Sequence, residues 1–197
     1  KLSHKTMPLY FPPATDGGKG VAVQILASGP DDETAPLLAF FLAALSTARK
    51  RVWIETPYLV PDEPLESALR IADLRGVDVQ VIVPSHGDSK LVTMASNTYC
   101  DSLHKAGIKV YQYGPPMLHA KTVVVDDTVA LVGTANLDNR SFRLNFEVAA
   151  AFYDSAVIAH LAHRFEADRR HSRAFSTRRR SPMVTQLLES IARLTSP

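Results

Sequence analysis

Two apolar, β-branched runs, Leu118–Val125 and Val129–Val132, flank the polar turn Asp127-Thr128 and constrain this chain more than any other stretch. Runs of that composition and length predict buried strands, and a connection this short closes an antiparallel hairpin. Side chains two apart on a strand share a face, so His119 and Lys121 are expected to aim the same way. Asp126 is an odd number of positions from both and is expected to point away, holding an Arg, a Lys or loop backbone. Gly133-Thr134-Ala135-Asn136 then breaks the strand pattern as a loop.

The residues gathered on that face suit a phosphodiester. An imidazole attacks phosphorus or hands a proton to a leaving oxygen, and positioned proton transfer typically contributes about 10²- to 10⁴-fold in rate. A Lys ammonium with amide or hydroxyl donors neutralises the non-bridging oxygens as charge builds on them. No metal or other cofactor is needed for such chemistry. A His in a strand near a Lys is, taken alone, more often structural than catalytic.

The rest of the chain alternates strand and helix. Val21–Leu26 reads as a strand, and Asp31 to Glu33 offer caps for a helix from about Thr34 to Arg49 with Leu37, Leu38, Phe41, Leu45 and Ala48 on one face. Val52–Glu55 follows as a strand, then a helix capped by Asp62 with Pro64 in its first turn and Gly76 beyond its end. Val77–Val83 is a strand, Ser89–Ala106 a helix stopped by Gly107, and Ile108–Tyr113 another strand. After Asn136 an irregular segment through Arg140 and Arg143 reaches a strand at Phe146–Tyr153 and a closing helix at Ala156–Arg170. Strand-helix-strand units predict parallel pairing in the first half, and with the hairpin the expected fold is α/β: a mixed sheet with helices on both faces. Ligands in such sheets sit beyond strand ends, which makes the Tyr58 and His86 loops candidate walls of the site.

Composition sets outer limits. With 46% hydrophobic and 21% charged residues the chain is an ordinary globular one, and a net charge of +2 offers no strong field for nucleic acid, so no nucleic-acid partner is expected. The single Cys100 excludes an internal disulfide and reads as core. The longest apolar run, Pro36–Leu45, is too short to span a bilayer. Lys1–Gly20 is rich in Pro and Gly and reads as a linker, residues 21–172 as the catalytic domain, and 173–197 as a basic tail. That tail carries Arg178-Arg179-Arg180 ahead of a helix with Met183, Val184, Leu187, Leu188, Ile191 and Leu194 on one side, a pattern suited equally to an anionic membrane surface or to packing on the core. His160 and His163 have no third ligand of fitting spacing and read as surface residues.

The pattern HxK, four residues, D, six residues, GTxN resembles the signature of the phospholipase D superfamily, with Thr134 where that family most often has Ser. The segments Glu55–Pro61, Arg75–Val81, Met117–Lys121 and Arg140–Glu147 are similar to the C-terminal catalytic half of bacterial cardiolipin synthases, and the resemblance covers nearly the whole chain from Val21. It implies the phospholipase D α/β sandwich and catalysis by two facing HxK motifs. One His forms a phosphohistidine; the other, a role the resemblance suggests for His119, protonates the leaving alcohol and later deprotonates the acceptor. Lys121, Thr134 and Asn136 would hold the phosphate, Glu147 matches a carboxylate that orients the motif His, and Asp126 is carried over as structural support.

The chain has one HxK motif, so the resemblance implies a completing half upstream or a second copy, and an isolated monomer is expected to be inactive. The activity implied is transfer of a phosphatidyl group between two phosphatidylglycerol molecules at a bacterial inner membrane, on its cytoplasmic side or peripherally. Two other readings compete: a dimeric nuclease or phosphodiesterase of the same chemistry, and a noncatalytic lipid-binding module.

Overall fold

The computed structural model describes residues 20–176 apart from Glu33; the linker expected over Lys1–Gly20 and the Arg178–Arg180 run with its helix otherwise lie outside the described residues. In chain order the elements are β1 (Val23–Ser28), α1 (Pro36–Thr47), β2 (Arg51–Glu55), β3 (Leu59–Val60), α2 (Glu63–Leu74), β4 (Asp78–Pro84), α3 (Lys90–Lys105) and β5 (Lys109–Tyr113). There follow β6 (Thr122–Val125), β7 (Val129–Gly133), β8 (Leu137–Asp138), α4 (Asn139–Arg143), β9 (Glu147–Phe152), α5 (Ser155–Arg170) and β10 (Ser172–Ala174). The fold is α/β, with a large mixed sheet ordered β1-β9-β7-β6-β2-β4-β5-β10 and a two-stranded ribbon of β3 and β8. Among the described residues no helix is long and apolar enough to cross a membrane.

The hairpin forms as its sequence predicts, with Val123 opposite Leu131 and Val125 opposite Val129. Its first strand is shorter than the apolar run, however, and residues 118–121 precede β6. The register explains this. Glu55, the last residue of β2, pairs with Thr122, and the chain then turns away through Thr56-Pro57, so residues upstream of Lys121 have no strand beside them.

Parallel pairing holds for β2, β4 and β5. The first strand departs from it: β1 pairs antiparallel with β9 at the far edge. The other side of β2 is taken by β6, so no edge is left there for β1. The helix expected to be capped by Asp31 to Glu33 begins at Pro36 after Ala35, which has a left-handed backbone and no side-chain cap; Asp32 instead accepts from Gly29 N at 2.7 Å and closes the preceding turn. By contrast Asp62 accepts from Leu65 N and Ser89 from Val92 N, as N-caps do. The segment expected to be irregular after Asn136 contains β8 and α4, because Asp138 accepts from Ser141 N at 2.6 Å and starts a short helix. Three-residue β10 carries no apolar alternation and gave no sequence signal.

Helices cover both faces. Leu37, Phe41 and Leu45 of α1, Leu65 and Leu69 of α2, and Cys100 and Leu103 of α3 pack with Val52, Ile54, Val81, Val110, Val123 and Leu131 on one face. On the other, Ile158, Ala162 and Phe165 of α5 cover Trp53, Ile82, Val124 and Ala130, with the Trp53 and Phe165 rings stacked at 5.0 Å.

Two local devices set where the strand ends fall. The buried Asp126 carboxylate, on a residue with left-handed backbone (φ 51°), accepts from the backbone N–H groups of Arg49, Lys50 and Arg51 at 2.9, 2.8 and 2.9 Å. This pins the hairpin turn to the start of β2. Burial works to raise the Asp126 carboxyl, but the three donors and the Lys50 charge hold it below the usual carboxylate range. At the opposite end, a Cβ on Gly133 would meet Val148 O at 2.6 Å and Ala149 Cα at 2.8 Å, so only glycine lets β7 and β9 approach this closely.

Replacing Asp126 by Ala is expected to lower stability by about 3 kcal/mol in urea unfolding at neutral pH, since three strand-end donors lose a charged acceptor. A carboxyl held low in the folded state contributes stability above its unfolded pKa and loses it as pH falls, so the same variant should flatten the acid limb of the stability profile below about pH 4. Gly133→Ala is expected to destabilise by about 1–3 kcal/mol through overpacking against β9.

Candidate active site

The strand register brings the C-terminal ends of β2, β4 and β7 to the same sheet edge as the N-terminal ends of β6 and β9. The motif residues collect there. Lys121 Nζ lies 3.1 Å from His119 Nδ1 and 3.1 Å from the His119 carbonyl oxygen. The two side chains therefore converge although His119 lies outside the strand, because residues 119–121 stay extended enough for Lys121 O to accept from Gly133 N at 3.2 Å. An ammonium has no lone pair, so Lys121 donates and Nδ1 accepts. Burial lowers the Lys121 pKa, and the charges of Glu147 and Asp138 work the other way.

His119 is exposed, and the Tyr58 ring meets it edge-on at 6.4 Å between centroids and 89° between planes. Tyr58 is itself steered from two sides. Its hydroxyl donates to the Asp88 carboxylate at 2.8 Å, and its carbonyl accepts from Thr56 Oγ1 at 2.8 Å. Burial first, then the Asp88 carboxylate, hold the phenol above its ordinary pKa, so it remains a donor. The Tyr58 loop is thus a wall of the site. His86 is exposed and meets Ser85 Oγ at 3.1 Å.

The GTxN loop is held by buried hydroxyls. Thr56, fully buried, also accepts from Leu137 N at 3.1 Å, and Ser141 Oγ accepts from Asn136 N at 3.1 Å and from Asn136 Nδ2 at 3.4 Å. Asn136 Oδ1 is buried with no partner among the described residues. Burial raises the Asp138 carboxyl despite its bonds to Ser141. Thr134 donates to Glu147 Oε2 in a short hydrogen bond and accepts from Val148 N at 3.0 Å, while Asn145 Nδ2 donates to Glu147 Oε1 at 3.1 Å. Glu147 is thereby joined to the loop through Thr134 and held from its own segment by Asn145, and its charge acts on Lys121.

His119, Lys121, Thr134, Asn136 and Glu147 thus share one rim, while Asp126 lies at the other end of β6 among backbone donors. His160 and His163 are exposed on α5. Thr56, Asp88, Asp138 and Ser141 were not singled out by sequence reasoning. The Asp138-to-Ser141 spacing of an N-cap was a usable signal, whereas nothing local marks Thr56 or Asp88. A small cavity beneath the rim is lined by Glu55, Lys121, Thr122, Gly133, Ala135 and Leu137, among others. An imidazole, an ammonium and amide donors on one edge can receive a tetrahedral anion and move a proton at it.

A family model described as cardiolipin synthase, PLD-like domain, matches residues 41–169. Cardiolipin synthase A of Pseudomonas aeruginosa (strain LESB58) is 44% identical over 197 residues, covering 99% of this chain and 40% of that protein. The protein of the same name from Pseudomonas putida (strain ATCC 700007) is 42% identical over 195 residues, covering 98% of this chain and 41% of the relative. The chain therefore spans about 40% of the length of these curated relatives. Among solved structures, phosphatidylserine synthase of Haemophilus influenzae Rd KW20 aligns with TM-score 0.69 at 20% identity, over 95% of this chain and 49% of that one. Nuc, a phospholipase D family member from Salmonella typhimurium, aligns with TM-score 0.68 at 19% identity, over 80% of this chain and 100% of that one. The structural likenesses show a shared fold; the family match and the sequence identities show that this chain belongs to the cardiolipin synthase, PLD-like domain family.

Proposed function

We propose that this chain supplies one of two HxK motifs of a phosphatidyltransferase that makes cardiolipin from two phosphatidylglycerol molecules. The observation that carries the reading is the pairing of His119 with Lys121 at 3.1 Å on an exposed rim shared with the GTxN loop, in a chain 44% identical to a cardiolipin synthase. A second motif, from another lobe or a second copy of the chain, faces this rim and completes the cavity. One imidazole attacks phosphorus and displaces glycerol, giving a phosphohistidine; the acceptor hydroxyl of a second phosphatidylglycerol then displaces the imidazole.

His119 serves as the acid and base of this cycle. With Nδ1 accepting from Lys121, the ring proton of a neutral imidazole sits on Nε2, ready for the leaving alkoxide. Lys121 and Asn136 neutralise the non-bridging oxygens. Thr134 fixes Glu147 beside Lys121, and Asp126 supports the hairpin from behind. The substrate is a lipid, so the rim works against an anionic membrane surface, on the cytoplasmic side or peripherally.

The test uses vesicles of radiolabelled phosphatidylglycerol and a protein that joins this chain to a second HxK lobe. Labelled cardiolipin and free glycerol are expected in equal amounts, and His119→Ala should lower the rate by about 10²- to 10⁴-fold. Unchanged lipid, or cleavage of DNA in its place, would sink the reading; a harmless His119→Ala would point to a noncatalytic lipid-binding module.

A further inference from the structure

Glu55 ends β2 on the face that α5 covers and is only 4% exposed. Its Oε2 accepts the Thr122 hydroxyl at 2.6 Å. Its Oε1 is buried and accepts from no donor among the described residues. The Asp168 carboxyl of α5 acts on the Glu55 side chain by charge and by side-chain hydrogen bonding, and the Arg164 guanidinium acts on it from one turn earlier. On its other flank β4 presents the apolar register partner Ile82. Asp168 and Arg164 are thus the charged groups that face Glu55.

Two carboxylates cannot hydrogen-bond to each other, because neither has a proton to give. An ionised Glu55 would leave Oε1 as a buried charge without a donor, set against a second negative charge. A neutral Glu55 removes both problems at once: one oxygen donates its proton to Asp168 while the other accepts from Thr122. Glu55, Thr122 and Lys121 line the same small cavity, and Lys121 is the residue next to Thr122.

We infer that Glu55 is a positioning residue: as a neutral carboxylic acid it bridges Asp168 of α5 to Thr122 of β6 and so holds the neighbouring Lys121 ammonium at the rim. What that ammonium acts on rests on the proposed phosphatidyl transfer; the bridge itself does not. The protonation state agrees with the surroundings. Burial, the largest influence, pushes the carboxyl up from 4.5 to about 7; the Thr122 bond opposes this, the Asp168 charge and hydrogen bond add to it, and Arg164 opposes it.

The linkage has a definite sign. A carboxyl whose folded pKa is raised loses stability as pH climbs from its unfolded value of 4.5 to about 7, and its contribution is level above that. Glu55→Gln imitates the neutral acid, accepting from Thr122 and donating to Asp168, and should flatten this part of the urea-unfolding profile of the full chain. Infrared difference spectra of the wild type at about pH 6 should show a carboxylic-acid C=O band that the Gln variant lacks. The Lys121 side-chain NMR resonance should show a step near pH 7 that is lost in Glu55→Gln.

None of these readouts needs catalysis. A missing acid band in the wild type, which requires no variant to fold, overturns the neutral bridge. A Lys121 resonance with the same pH course in wild type and Gln variant overturns the positioning role. Absence of cardiolipin synthesis with the band and the Lys121 step both present fails only the functional reading.

Discussion

Three consecutive backbone N–H groups at the start of β2 end on one carboxylate, that of Asp126, and the rest of the site follows from that bond set. It locks the hairpin turn to β2, which sets Glu55 opposite Thr122 and so fixes where the β6 ladder stops. A one-residue slip would send Val123 and Val125 to the α5 face and turn Lys121 with them. Arg51 reinforces the same corner, donating to the Asp126 carbonyl at 3.1 Å and pairing with Asp127 at 2.7 Å while its guanidinium lies over Trp53. The Asp of the signature is therefore remote from the rim yet decides the alignment of the strand that leads to it.

At the other end the same hairpin meets a second constraint. Gly133 lets β9 approach until Thr134 reaches Glu147, and the parallel pair of β3 with β8 ties the Tyr58 loop to the loop carrying Asn136. Thr56 bonds to both loops from a fully buried position. Short polar clamps of this kind hold exposed groups on a rigid scaffold, which is the arrangement that acid-base and electrostatic catalysis require. The exposed His119 is steadied by Lys121 on one side and the Tyr58 ring on another.

The alternation of strands and helices was readable in the chain because each element carries its own signal. Asp62 and Ser89 cap helices, Gly76 and Gly107 take up positive φ past helix ends, and valine runs mark the central strands. The misreadings occur where the signal is not local. The run from Leu118 is apolar enough for a strand, but strand assignment needs a neighbour, and β2 has already turned away. Asp32 had the chemistry of a helix cap but found the Gly29 N–H first. The edge position of β1 and the pairing of β10 depend on which sheet edges other strands leave open.

The sequence by itself determined which groups flank the hairpin and at what spacing, with His119 and Lys121 ahead of β6 and Thr134 and Asn136 after β7. It also determined that Asp126 lies apart from them, because it follows the last residue of β6 while Lys121 precedes the first. Only the tertiary structure decided which groups from distant segments join that rim. Tyr58 and Glu147, which the sequence had offered as candidates, and Asp88, which it had not, reach it through register and loop packing. Glu55 came to face Asp168 across an interface between β2 and α5, more than a hundred residues apart, and burial there sets a charge state that composition cannot reveal.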